Sequence, residues 1–343
     1  MKRFAALALL LTTAAFGQRV SESELTYGPF ASGPRDRSIA AAVAPHGILL
    51  AWSEVDPETQ HASIRTGLVN LDGQPIGPVN TLSTARANHQ ATGPVIATDG
   101  TTFFVVWTER DPYSYTPRIL AGVKTNGLGK PIEAVQQMGA PRKPALVWDG
   151  VSYKLHDDRG HRVPFANPDA NGWVDWSPGI KAIHAYPWGG RPGRPFSVHW
   201  AIVTRDWIRS GTWSANTYVG TAPVVSADGS ELLIVWGTDD GLEGLRVVDG
   251  RAGDRFELAS VFARDTWPAI GGPLVVFAKD GDVYGSLVTG SVFGVPFPIS
   301  DGEEEVDDLP QAYPLGHDRY LVTYVRSRGG SIELVGRFVD MSL

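Results

Sequence analysis

The chain has 343 residues, 43% of them hydrophobic and 20% charged, which is enough apolar material for a sizeable core. It contains no cysteine, which excludes disulfides, thiolate metal sites, a cysteine nucleophile and a lipidated cysteine. The formal net charge is −7, and removing Lys2 and Arg3 takes it to −9, a balance that argues against nucleic acid or an anionic membrane as the main partner.

The N-terminus reads as a secretory signal. Lys2 and Arg3 form a basic start, and Phe4 to Leu11 form an apolar core. Ala15-Phe16-Gly17 puts small residues at the two positions a signal peptidase checks, so cleavage is expected before Gln18. The apolar run is too short to span a bilayer. Residues 1–17 are thus expected to be removed. Residues 18–343 should form one domain of a soluble, monomeric protein, secreted or periplasmic.

From residue 39 onward the chain repeats one phrase. An apolar segment meets a turn glycine, a second apolar run ends in an aromatic, and a step ending in glycine follows. Gly100 leads to Trp107, Gly193 to Trp200 and Gly229 to Trp236, seven residues on in each case. Gly47 to Trp52 and Gly272 to Phe277 are shorter, and Gly316 to Tyr324 is longer by one. The unit at Gly150 is degenerate, with Asp157 at the aromatic position and Gly160 as a weak third-strand signal. Ile64-Arg65-Thr66-Gly67 nearly recurs as Ile208-Arg209-Ser210-Gly211, and Val283-Tyr284-Gly285 and Leu334-Val335-Gly336 fit the same place.

Units then begin near residues 39, 92, 143, 180, 221, 267 and 309. Such a repeat of short strands predicts an all-β chain, a seven-bladed β-propeller with six blades as the alternative. The 39 glycines and 25 prolines suit many tight turns. The aromatic ending strand two is expected to fill the space between blades. The strand-three glycine is expected to let backbones approach or to mark a bulge.

The phrase resembles the secreted bacterial β-propeller repeats of the form G-x-x-φ-V-x-W…I-x-G-x-x-V-x-x-x-G. The resemblance covers roughly residues 25 to 343. It is good in units one, two, five, six and seven and poor in three and four. What it implies is a fold, not an activity.

The last unit runs out of chain before a fourth strand. Leu25-Thr26-Tyr27-Gly28-Pro29-Phe30-Ala31-Ser32 resembles Gly294-Val295-Pro296-Phe297-Pro298-Ile299-Ser300 of unit six. The N-terminal segment is therefore expected to pair with the last blade and close the ring, removing two exposed edges.

Chemistry is hard to find in this sequence. Residues 173–213 depart most from the repeat and hold six of the eleven tryptophans. Trp200 and Trp213 fall on core positions. Trp173, Trp176, Trp188 and Trp207 do not, and Arg191 and Arg194 lie among them. Exposed tryptophans beside arginines suit stacking on a sugar or an aromatic ligand. The alternative is that bulky residues fill gaps left by a degenerate blade.

His156-Asp157-Asp158-Arg159-Gly160-His161 is the densest polar cluster. His156, Asp158 and His161 are the weak candidates for a metal, but no zinc spacing is met and a solvated hairpin turn is the plainer reading. Asp301 to Asp308 reads as a solvated acidic loop rather than a calcium loop. Glu54, Glu109, Asp239 and Asp280 recur near the strand-two aromatic, an acidic ring whose repetition favours a structural role.

Only a fragment of the sialidase Asp-box is present, Ser210-Gly211-Thr212-Trp213, with Arg209 where the aspartate belongs. No nucleophile elbow, phosphate loop or dinucleotide fingerprint is seen, and no cofactor is implied. The expectation is an exported, non-catalytic binding or scaffold protein that contacts a protein or glycan through rim loops. The alternative is a polysaccharide hydrolase or lyase with carboxylates at the channel mouth.

Overall fold

The computed structural model describes residues 19–21, 25–30, 39–56, 58–59, 61–83, 90–110, 119–138, 145–148, 153–156, 183–188, 197–203, 208–214, 224–228, 231–238, 241–249, 251–259, 268–300, 302, 306–329 and 331–341. Among these residues all regular structure is β. Two short strands come first, β1 (Arg19–Val20) and β2 (Leu25–Phe30). Sheet one is β3 (Ile39–Ala44), β4 (Gly47–Val55), β5 (Ala62–Val69) and β6 (Pro75–Thr81). Sheet two is β7 (Gln90–Thr98), β8 (Phe103–Arg110), β9 (Ile119–Thr125) and β10 (Gln136–Met138). Sheet three shows β11 (Ala145–Trp148) and β12 (Tyr153–His156), and sheet four β13 (Ile183–Trp188), β14 (Ser197–Val203) and β15 (Ile208–Ser214).

Sheet five is β16 (Val224–Asp228), β17 (Glu231–Thr238), β18 (Gly241–Val248) and β19 (Arg251–Ala259). Sheet six is β20 (Ala269–Gly271), β21 (Leu274–Lys279), β22 (Asp282–Thr289), β23 (Val292–Phe293) and β24 (Phe297–Pro298). Sheet seven has β25 (Val306–Gly316), β26 (Arg319–Arg328) and β27 (Ser331–Asp340). Each sheet is an antiparallel meander, and each begins within three residues of a unit start read from the repeat.

Sheet seven takes its outer strand from the other end of the chain. β1 and β2 both pair antiparallel with β27, from Arg19 opposite Asp340 to Phe30 opposite Ile332. Ser21 tightens the join: its N–H donates to the Phe338 carbonyl at 2.8 Å, and its hydroxyl accepts from the Phe338 N–H at 3.0 Å. The pairing expected from sequence is present and starts earlier, at Arg19. Its register differs from the sequence alignment. Phe297 stands opposite Gly285 in sheet six, whereas Leu25, not Phe30, stands opposite Gly336 in sheet seven. A bulge between Tyr27 and Pro29 defeats matching by proline.

The sheets are buried on both faces, which explains the near-continuous apolar runs in their second strands. In β4, Ile48, Leu50 and Trp52 join a cluster with Leu321, Leu334 and Phe338 of sheet seven. The alternate residues Leu49 and Ala51 join Trp107 and Phe103 of sheet two. Phe277 clusters with Leu233, Val235 and Leu242 of sheet five, and Tyr324 with Leu274, Val276 and Val283 of sheet six. Thus Trp52, Trp107, Phe277 and Tyr324 each pack on the sheet before their own, Trp52 on the last one. Trp107 and Trp236 are fully buried.

The strand-three glycines have a different use from the expected one. A Cβ on Gly122, Gly244 or Gly285 would collide with Met138, Phe256 or Phe297. The close approach is by a side chain from strand four that lies across the glycine, not by a backbone. Two buried serines just after strand four complete the pattern. Ser83 and Ser300 accept the N–H groups of Ile64 and Val283 at 2.7 and 2.8 Å.

Candidate functional site

The charged groups near the strand-two aromatics are engaged. The indole N–H of Trp107 donates to Glu109 Oε1 at 3.1 Å, and that of Trp236 to Glu243 Oε2 at 3.1 Å. Glu54 pairs with Arg65 at 3.3 Å, and Arg65 also donates to Thr81. Arg326 forks onto Asp307 at 3.0 and 3.2 Å and donates to the Tyr324 hydroxyl at 3.3 Å. A buried ring with a polar head must satisfy that head, and a carboxylate or guanidinium does so here. Asp280 sits in a turn with φ of 54°, and Asp239 lies outside the described residues.

Two of these groups were not legible as partners in the sequence. Glu243 is buried opposite Trp236 and is bridged by Arg255 at 2.9 Å, which also holds Glu257 at 2.6 Å. Burial pushes the Glu243 carboxyl up; the positive charge of Arg255 pulls it back, and Glu257 pushes it up again. Asp307, read as part of a solvated acidic loop, is buried against Arg326. The sequence neighbours of neither carboxylate reveal its place, because cross-strand pairs depend on register.

The opposite ends of the strands carry a second polar group. Asp99 closes its turn by accepting the N–H groups of Thr101 and Thr102 and the Thr102 hydroxyl, all within 2.6–2.8 Å. Desolvation opposes its charge, but the Thr102 and Thr101 hydrogen bonds outweigh it and hold the carboxyl down at about 2. Tyr153 of sheet three donates to the Thr102 carbonyl at 3.0 Å and stacks on Phe104, so this cluster ties sheets two and three together.

Of the residues nominated from sequence, Trp173, Trp176, Arg191, Arg194 and Trp207 lie outside the described residues, as do Asp158 and His161. His156 ends β12 opposite Ala145. Among the described residues no group of three or more His, Asp or Glu is arranged to hold a metal. Trp188 ends β13.

Register sorts the positions of sheet four into two sets. One face carries the rows Pro187–Val198–Trp213, Ala185–Trp200–Gly211 and Ile183–Ile202–Arg209. The other carries Trp188–Ser197–Ser214, Tyr186–His199–Thr212 and His184–Ala201–Ser210. Trp200 and Trp213, read as core, thus share the apolar set, and Trp188 falls in the polar one. β13 neighbours β16 of sheet five.

No protein-family model matches the sequence, and no curated protein does. Solved structures do resemble it. The β-propeller domain of the Trilobed protease from Pyrococcus furiosus, described as having an open velcro topology, superposes with a TM-score of 0.51 at 12% identity. That match covers 90% of this chain and 95% of the other. Trypanosoma rangeli sialidase gives 0.47 at 12% identity, over 94% of this chain and 59% of the sialidase. A Dyadobacter fermentans protein of unknown function gives 0.46 at 11%, over 93% of this chain and 100% of that one. At these identities the likeness is one of fold, and the Pyrococcus domain carries it: the chain is an all-β protein with a β-propeller fold.

Proposed function

We propose that the chain is an exported, seven-bladed, non-catalytic binding propeller, closed by its N-terminal strand, that holds a glycan or protein partner around its fourth blade. The observation that carries this reading is how the rim carboxylates are employed. Glu109 and Glu243 cap buried indoles, Glu54 pairs with Arg65, and Asp307 pairs with Arg326. Carboxylates committed to the core are poorly placed to act as a general acid and its partner. The departure from the repeat lies instead in residues 173–213, where Trp173, Trp176, Trp188, Arg191, Arg194 and Trp207 supply aromatic and cationic groups.

A glycan array probed with residues 18–343, followed by a reducing-end assay on each glycan retained, tests the reading. Retention without turnover, weakened by Trp173→Ala or Trp207→Ala at unchanged melting temperature, is the expected result. Release of reducing ends would replace it with the hydrolase reading. Melting losses with no ligand found would make these tryptophans packing residues.

A further inference from the structure

We infer that the fourth sheet binds a neutral saccharide along the row positions of Tyr186, Trp188 and His199, with Thr212 and His184 at its flanks; this rests on the binding reading above and gives it a ligand class. The first observation is composition by face. In the regular sheets both faces are aliphatic: β17 reads Leu232-Leu233-Ile234-Val235-Trp236, buried throughout. Sheet four keeps that composition on the face of Val198, Trp200 and Ile202. On its other face the three rows that span all strands contain two imidazoles, a phenol, an indole and four hydroxyls, and one alanine.

The second observation is register. In sheets two, five, six and seven the strand-three glycine stands opposite the residue before the aromatic: Val106 with Gly122, Val235 with Gly244, Val276 with Gly285, Thr323 with Gly336. In sheet four Gly211 stands opposite Trp200 itself. A shift of one residue exchanges the faces of a strand. In the common register Trp213 would fall with Ser197, and Thr212 with Val198. The shifted register brings Ser210, Thr212 and Ser214 to the face of His199 and Tyr186, and Trp213 to the apolar one. The slip is what segregates the two sets.

The chemistry of the polar set fits a polyol. Tyr186 and Trp188 are two residues apart on one strand, about 6.6 Å, the scale of a single sugar ring. Aromatic planes take the C–H faces of a pyranose, and hydroxyls and neutral imidazoles exchange hydrogen bonds with its hydroxyls. The rows contain no Lys, Arg, Asp or Glu, so nothing in them selects a charged glycan.

The test uses residues 18–343 with cellohexaose, chitohexaose and xylohexaose as probes in isothermal titration calorimetry. At least one hexasaccharide should bind. Tyr186→Ala and His199→Ala should weaken it about tenfold or more, while Trp173→Ala and Trp207→Ala change it far less. The reverse ranking overturns the inference and leaves the rim-loop reading standing. Binding to none of the three, with retention only of acidic glycans or of a protein, also overturns it while the binding reading survives. Should Tyr186→Ala fail to fold, hydroxyl-radical footprinting of the unaltered protein asks the same question. Protection of Tyr186 by the hexasaccharide supports the site, and unchanged reactivity removes it.

Discussion

Sheets four and five are neighbours built on one repeat, and they spend the same positions differently. In sheet five the second strand is buried from Leu232 to Thr238, and its one polar demand, the Trp236 indole, is met by Glu243. In sheet four the equivalent tract alternates Ser197, Val198, His199 and Trp200, and a slipped register gathers its polar members on one face. A repeat can therefore hold its backbone plan while one copy trades core for surface chemistry. The regular copies supply the stability that lets the irregular one diverge.

The largest effect should come from the ends of a regular sheet. Deleting residues 18–33 removes β1 and β2, bares β27, and should lower Tm by roughly 10 °C and promote aggregation. Unchanged melting would mean that sheet seven does not need its borrowed strand. Next come the buried rings. Trp107→Ala or Trp236→Ala should cost about 3–5 kcal/mol in urea unfolding. Trp188→Ala in sheet four should cost far less, and equal costs would erase the contrast between the sheets.

A smaller effect separates charge from hydrogen bonding at Glu243. Glu243→Ala leaves the Trp236 N–H without its acceptor and should cost about 1–3 kcal/mol. Glu243→Gln keeps an acceptor and no longer buries a carboxylate, so it should fall nearer to the unaltered protein. If both variants lose the same stability, the ion pair with Arg255 matters more than the indole bond. The smallest effect is at Asp99. Its folded carboxyl is held at about 2, below the ordinary 3.8. The stabilisation is therefore complete above about pH 4 and is lost as pH falls toward 2. The advantage of the unaltered protein over Asp99→Ala, about 1 kcal/mol near neutrality, should shrink across that window. An advantage constant down to pH 2 would show that charge plays no role.

Much of this architecture was legible because it repeats. The glycine-to-aromatic spacing located the start of every sheet and named Trp107 and Trp236 as core, since a buried strand writes its burial directly into an apolar run. What depends on pairing was not legible. Arg326 and Asp307 lie 19 residues apart on strands whose register no local pattern reveals. Met138, Phe256 and Phe297 gave no sign that they would lie over Gly122, Gly244 and Gly285. The slipped register of sheet four is the same kind of information, visible only once Gly211 is seen opposite Trp200. The candidate site follows suit: sequence picked out the tract and Trp188, and only pairing distinguished Tyr186 and His199 from the core positions beside them.

The junction of Arg19 with Asp340 has a mechanical consequence. The first and last strands run antiparallel with their free ends side by side, so tension applied between the termini loads the ladder at that end. Hydrogen bonds pulled in this geometry break in succession, like a zipper, rather than together in shear. Drawn by its ends, the molecule should therefore yield first along β27 and at low force. A short peptide joining residue 341 to residue 19 would put that seam inside a continuous chain, and a cut made in any exposed turn would then give a permuted protein whose weak point lies elsewhere.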